Sequence, residues 1–470
     1  MKRTHLPDGG EPTWSAIRAE LGIVDAFPAA ALAEADAAAA EVAVPALDRT
    51  EVDLFTIDPA GSLDLDQAMA LERVGTGYRV HYAIADVGAF VRPDGPIDAE
   101  SRVRGETMYG PDERVPMLPP ALSEGAASLL PDLERPSVLW TLDLDARGEL
   151  VATDVRRARV RSRRRLDYVS VQQSVDAGTA DEQVLLLQTI GELLIARAGE
   201  RGAIALPTPE QEVALDASGA PQLHFRAPVR AERWNEQISL LTGRAAAQLM
   251  LAGRIGLLRT MPPPDPGDVA SLRRSALALG IDWPEDRSYG EVVSGLDPTD
   301  GRAAALLALV PRLLRGAGYT AFDGTAPEQP LHSAVAAVYA HCTAPLRRLA
   351  DRFVSEVCVA LAAGTPVPDW TRQALPALPA LMAAADHRAH ALERAVDDLA
   401  EALVLAPCVG RDFPATVVEA GPKGGEVQLE APAVRAPCAG ADLPLGERIT
   451  VRLTAADPRR RRVGFERVPD

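Results

Sequence analysis

An α+β fold is predicted, and three features of the sequence predict it. Short alternating segments, "EVDLFTID", "YRVHYAIADV", "SVLWTLDLD" and "LVATDVRRARVRS", follow one another in the first third of the chain and read as strands. Helical patterns come later, over 181–199, 231–258 and 302–316. The final stretch, from 408 onward, returns to short strands broken by Gly and Pro. Strands first and helices afterwards imply a mixed or antiparallel sheet packed with helices, not a βαβ repeat.

Each end of the chain has its own texture. Residues 1–48 are helical in composition. "PTWSAIRAELGI" spaces Trp14, Ile17 and Leu21 for one face, and "FPAAALAEADAAAAEVAV" is rich in the best helix former. They are expected to form a small helical N-terminal unit, a cap or a helix-turn-helix piece. Residues 49–405 form the main domain. Residues 406–470 hold about five short strands, which fits a small OB-type barrel of the kind that binds single-stranded nucleic acid. The run Arg459–Arg462 would lie on or beside that barrel, or in a solvated turn.

Composition excludes several classes. A hydrophobic content of 47% suffices for a large core, and no apolar run is long enough to span a membrane. "MKRTHLPDGGEPTW" is followed by no apolar stretch, so a cytoplasmic protein is expected. Cys342, Cys358, Cys408 and Cys438 are scattered, which argues against a zinc ribbon or a disulfide framework. The net charge of −17 weighs against nucleic-acid binding. The arginines cluster, however, at "RRARVRSRRR" (156–165), at 347–348 and at 459–462; a channel can be basic inside an acidic shell, so the total weakens a nucleic-acid reading without excluding it.

The chemistry concentrates in "TIDPAGSLDLDQA", residues 56–68. Three carboxylates, Asp58, Asp64 and Asp66, stand among small and apolar neighbours. Burying such charges is costly unless a cation pairs with them. The strand "DLFTID" ends at Asp58, "PAGS" turns, and a resumed strand would place Asp64 and Asp66 on one side. Oxygen-only ligands suit Mg²⁺ or Mn²⁺. An EF-hand is excluded, because the twelfth position from Asp64 is Gly75. Taken by itself, an acidic triplet is more often a solvated loop.

A second cluster is "YAHCTAPLRRLADRFVSEVCVAL". Pro345 suits a first helical turn, and Leu346, Leu349, Phe353, Val357 and Leu361 are spaced for one buried face. Arg347 and Arg348 would then sit at a helix N-terminus, against the dipole but well placed for phosphate. His81 and His341 read as core residues.

These motifs, in this order, resemble the RNB family, the exoribonucleases of RNase II and RNase R type. The resemblance rests on "TIDPAGSLDLDQA", on "HYAIADVGAFVRPDGPIDAESRVRGETMYGPDERVPMLPPALS", on "TAPLRRLADRFVS" and on "ALERAVDDLAEALVL". It implies 3′→5′ hydrolysis of RNA to nucleoside 5′-monophosphates with two divalent ions, Mg²⁺ or Mn²⁺, held by Asp58, Asp64, Asp66 and Gln67. It implies catalytic roles for Asp66 and Arg347, with Arg348 anchoring a neighbouring phosphate. Tyr109, Tyr168, Leu206 and Glu393 would contact RNA. The partner is RNA with a free 3′ end, and a monomer is expected.

Three departures stand out. Gln67 occupies the place of a fourth family aspartate, which removes one negative charge. Leu206 replaces an aromatic that would stack on terminal bases. The 48 residues ahead of the main domain are too few for the family's cold-shock domains, so a less crowded channel that accepts partly structured RNA is expected. Two other readings remain: a catalytically silent RNA-binding protein of the same fold, and a metal phosphoesterase acting on small nucleotides.

Overall fold

The computed structural model describes residues 14–110, 114–206, 210–215 and 221–469. Two short helices open it, α1 (Trp14–Glu20) and α2 (Ala29–Ala40). Neither belongs to a separate N-terminal core. Trp14 and Ile17 of α1 pack with the C-terminal barrel, whereas Ala31 and Ala35 of α2 join the main core.

The predicted sheet closes on itself. Strands β1 (Leu54–Asp58), β2 (Gln67–Val74) and β3 (Gly77–Ala85) continue through strand Glu134–Leu144 to the long strand Leu150–Asp167, which returns to β1. All pairings are antiparallel except the closing one, where β1 runs parallel to the long strand. The barrel core is carried by Phe55, Tyr82 and Trp140, which are fully buried. The closing register sets Asp58 opposite Asp167. The next residue, Tyr168, begins α4 (Tyr168–Asp176), capped by the Asp167 carboxylate, which accepts from the Ser170 amide at 2.9 Å. Asp58 and Tyr168 are thereby delivered to one rim of the barrel.

The arginine run on the long strand does not line a basic channel. Arg157 bonds Asp86 and Glu356, Arg159 bonds Asp48, Arg161 bonds Glu134 and Arg164 bonds Asp181. Alternation along the strand gives each a carboxylate from a neighbouring element, so the run is consumed as structure.

Helices α5 (Glu182–Glu200) and α6 (Arg230–Gly253) flank the barrel; α3 (Pro96–Arg104) packs against α2. The predicted helix over 231–258 stops at 253, and its last residues form strand Ile255–Thr260, paired with Gly318–Asp323. Gly243 lets α6 approach the chain at Tyr339 and Ala340; a Cβ there would lie 2.2 Å from the Tyr339 ring. Helix Leu349–Ala362 is buried on nearly every face, and helix Leu378–Leu405 leads to the last unit. That unit is a closed five-stranded barrel, Asp412–Gly421, Gly424–Leu429, Val434–Ala439, Arg448–Asp457 and Arg462–Arg467. Among the described residues no helix is long and apolar enough to cross a membrane.

Candidate active site

A cavity of about 1680 Å³ opens where the rim of the main barrel meets α5 and α6. Asp58, Asp64, Asp66, Gln67, Tyr109, Tyr168, Leu206 and Arg347 all line it. These residues span nearly three hundred positions of sequence and meet because of the closing register and two pinned loops.

The first loop joins β1 to β2. Asp64 and Asp66 lie in it, not on a resumed strand, since β2 starts only at Gln67. Tertiary anchors hold the loop instead of a sheet ladder. The Leu65 amide donates to Ser128 Oγ at 2.9 Å, and Ser128 Oγ donates to the Leu63 carbonyl at 2.6 Å. Leu65 is fully buried, which turns the flanking carboxylates toward the cavity.

The second loop carries the arginines. Helix Leu349–Ala362 begins after Arg348, so Pro345, Arg347 and Arg348 are not in a first helical turn. Arg348 has extended backbone, with φ −145° and ψ 122°. The Thr107 amide donates to the Arg347 carbonyl and the Leu349 amide to the Gly105 carbonyl, both at 2.9 Å. These bonds to a neighbouring segment hold the chain extended where local propensity would start a helix.

The consequence is a direct meeting of the two motifs. Asp66 is 4% exposed, accepts from the Leu346 amide at 2.7 Å, and lies 3.4 Å from Arg347 Nε. Burial pushes the Asp66 carboxyl up to about 8, and Arg347 and the Leu346 amide pull it only part of the way back. Burial likewise raises Asp58 to about 7, against the pull of Arg347. Asp58 Oδ2 is buried with no hydrogen-bond partner. A buried, orphaned carboxylate oxygen beside a second raised carboxylate is a donor set that fits a hard divalent cation.

The other two expected ligands are engaged by protein groups. Arg114 bonds Asp64 with one arm and Glu124 at 2.6 Å with the other. Gln67 accepts from the Tyr82 hydroxyl and donates to the Thr343 carbonyl at 2.7 Å. Among the described residues, no three His, Cys, Asp or Glu side chains are gathered in metal-holding geometry.

Two expected residues lie elsewhere. Arg348 is bound bidentately by Asp351 at 2.6 and 2.8 Å, with the Ala344 amide on the same carboxylate at 2.7 Å. Its guanidinium thus stabilises the loop and does not reach into the cavity. Glu393 is exposed on helix Leu378–Leu405 and does not line the cavity.

Sequence reasoning missed Arg114 and the polar face of α6. Glu232, Asn235, Glu236 and Ser239 all line the cavity. Asn235 donates to the Tyr168 hydroxyl at 2.9 Å, and Ser239 bonds the Thr343 hydroxyl at 2.7 Å. Their helical spacing, opposite buried Trp234, Ile238 and Leu241, was a readable signal. Arg114 carried no such signal, because its partners are remote in sequence.

The family model described as RNB domain matches residues 47–362. The chain belongs to the RNB family. A second model, the RNase II-type exonuclease C-terminal S1 domain, matches residues 411–468 of this RNB protein, the segment that closes as the terminal barrel. Ribonuclease R of Escherichia coli strain K12 is 30% identical over 322 residues, which are 65% of this chain and 39% of that protein. The chain thus spans well under half the length of that relative. The fold is shared with Mycoplasma genitalium RNase R solved in complex with ribose-methylated single-stranded RNA. The TM-score is 0.85 at 20% identity, covering 97% of this chain and 77% of that one. It is also shared, at a TM-score of 0.66 and 18% identity, with yeast Ssd1, a pseudonuclease, over 87% of this chain and 52% of that one.

Proposed function

We propose that this RNB protein is a 3′→5′ exoribonuclease that hydrolyses single-stranded or partly structured RNA to nucleoside 5′-monophosphates. The observation that carries the reading is the approach of Arg347 to Asp66, at 3.4 Å, in a cavity that also holds the orphaned Asp58 oxygen. Asp58 and Asp66 would hold divalent ions, Mg²⁺ or Mn²⁺, which when bound supply an activated water and offset charge on the leaving 3′ oxygen.

The chain's own groups do the rest. Arg347 is half-exposed toward the cavity, with its side chain 49% accessible. It neutralises charge on the scissile phosphate, a role whose loss typically costs on the order of 10²–10³ in rate. The Leu346 amide fixes the rotamer of Asp66. Tyr109, which is partly exposed, and Tyr168 offer ring faces for bases, each stack being worth about 1–3 kcal/mol. Leu206 packs against a base without stacking. A cytoplasmic monomer is the working form in this reading.

A second reading has a specific observation behind it. Asp64 is tied to Arg114 and Gln67 to Tyr82 and Thr343, so two of four expected ligands are engaged. A silent RNA-binding protein would look the same, and Ssd1 carries this fold as a pseudonuclease. A labelled oligoribonucleotide assayed with Mg²⁺ and with Mn²⁺ separates the two. Release of mononucleotides, abolished by Asp66→Asn with RNA affinity kept, supports the exonuclease. Binding without release under either ion leaves the silent reading.

A further inference from the structure

A different part of the cavity wall, where the end of α5 meets the middle of α6, carries two guanidinium groups that the chemistry above does not use. Arg201 and Arg244 both line the cavity. Nε and Nη1 of Arg201 and Nε of Arg244 are buried with no hydrogen-bond partner. Among the described residues neither side chain has a carboxylate partner within ion-pair distance. The acid that acts on both electrostatically is Glu149, which already pairs with Arg197 at 3.6 Å.

Protein interiors avoid this arrangement. Buried N–H groups left without acceptors are costly, and two neighbouring cations repel. The strain registers on the groups themselves: burial and the adjacent Arg201 depress Arg244 to about 10. Arg201, at the C-terminal end of α5, gains something from the helix dipole. Arg244, in the interior of α6, has no such reason to be there. Elsewhere this chain gives its arginines carboxylates, as along the strand Leu150–Asp167. An anion with several acceptor oxygens would satisfy the free N–H groups of both arginines at once.

We propose that Arg201 and Arg244 together hold a phosphodiester of the RNA strand lying in this cavity, at a position distinct from the scissile phosphate bound by Arg347. The proposal rests on the reading of the cavity as an RNA site. It makes the pair a strand-tracking station that helps fix register while the terminal linkage is cut.

Binding in EDTA tests it independently of cleavage. A 5′-fluorescent oligoribonucleotide is titrated against wild type, Arg201→Gln, Arg244→Gln and the double variant over a range of salt. Each single variant should weaken binding about tenfold, and the double variant should flatten the slope of log K against log salt by about 0.7, the value for one neutralised phosphate on a single strand. Arg73→Gln, which removes a guanidinium stacked on Tyr78, should change neither. Arg244→Lys keeps the charge but loses the fork, and should fall between wild type and Arg244→Gln if the fold is intact. An unchanged slope in the double variant overturns the proposal. So does loss of 5′-mononucleotide binding alone, which would assign the pair to the released product. Wild type that binds RNA but never cleaves it would sink the nuclease reading and leave this site standing.

Discussion

Arg114 holds the Asp64 carboxylate with one arm of its guanidinium and Glu124 with the other. The contact places a protein cation where the motif calls for a metal ion. Asp64 and Arg114 are 15% and 26% exposed, so the pair is shielded but not sealed. Divalent binding through Asp64 has to displace it.

Arg114→Gln should therefore tighten divalent binding. Releasing a partly exposed ion pair is worth about 1 kcal/mol, which corresponds to roughly fivefold in Kd. Mn²⁺ titration followed by calorimetry reads it directly. Weaker Mn²⁺ binding would mean that Arg114 supports the carboxylate and does not compete for it.

Gln67→Asp restores the charge that the family motif carries, at a structural cost. An aspartate cannot donate to the Thr343 carbonyl as the Gln67 amide does. The variant should lose about 1–3 kcal/mol of stability. It should bind Mn²⁺ more tightly than wild type. A melting temperature equal to that of wild type would show that the Thr343 bond contributes nothing.

The raised carboxyls predict how stability depends on pH without metal. Asp58 at about 7 and Asp66 at about 8 hold protons in the folded chain that the unfolded chain releases near 3.8. Between those values the native state binds more protons than the unfolded state. Stability therefore falls as pH rises from about 4 to about 8. Thermal melts in EDTA should follow that slope, and Asp58→Asn with Asp66→Asn should flatten it. Added Mg²⁺ should raise the high-pH end, because the ions require deprotonated ligands. An EDTA profile unaffected by the double substitution would refute the assignment.

A buried ion pair anchors the helix that follows the arginine loop. Arg352 donates to Asp98 at 2.7 Å, and both side chains are almost fully buried. It ties α3 to the helix that follows Arg347. Arg352→Met leaves Asp98 Oδ1 without its guanidinium donor, while Oδ2 keeps Arg102 at 3.1 Å and the Asp94 amide at 3.0 Å, and should cost about 1–3 kcal/mol. Asp98→Leu combined with Arg352→Met should recover most of that, as measured by thermal unfolding. No recovery would mean that the pair does more than balance charge.

Much of this was legible in the letters. Alternation in "YRVHYAIADV" and "SVLWTLDLD" marked strands that the structure contains, and short Gly- and Pro-broken segments marked the terminal barrel. Closure of the main sheet was not legible, because pairing β1 with a strand ending at Asp167 is a long-range choice that no local pattern encodes. The arginine run misled for the same reason: charge is read along the chain, but its partners come from other elements.

The sequence by itself determined which residue types were present for the chemistry, and in what order: Asp58, Asp64 and Asp66 early, Arg347 late. Local pattern also placed the strand that ends at Asp58, but it put Asp64 and Asp66 on a strand and Arg347 in a helix where the structure has loops. Only the tertiary structure decided which of these groups are available. It left Asp58 Oδ2 without a partner and gave Asp64 to Arg114, Gln67 to Tyr82 and Thr343, and Arg348 to Asp351. Hydrogen bonds and ion pairs are settled by distances in space, and spacing along a chain does not fix those distances.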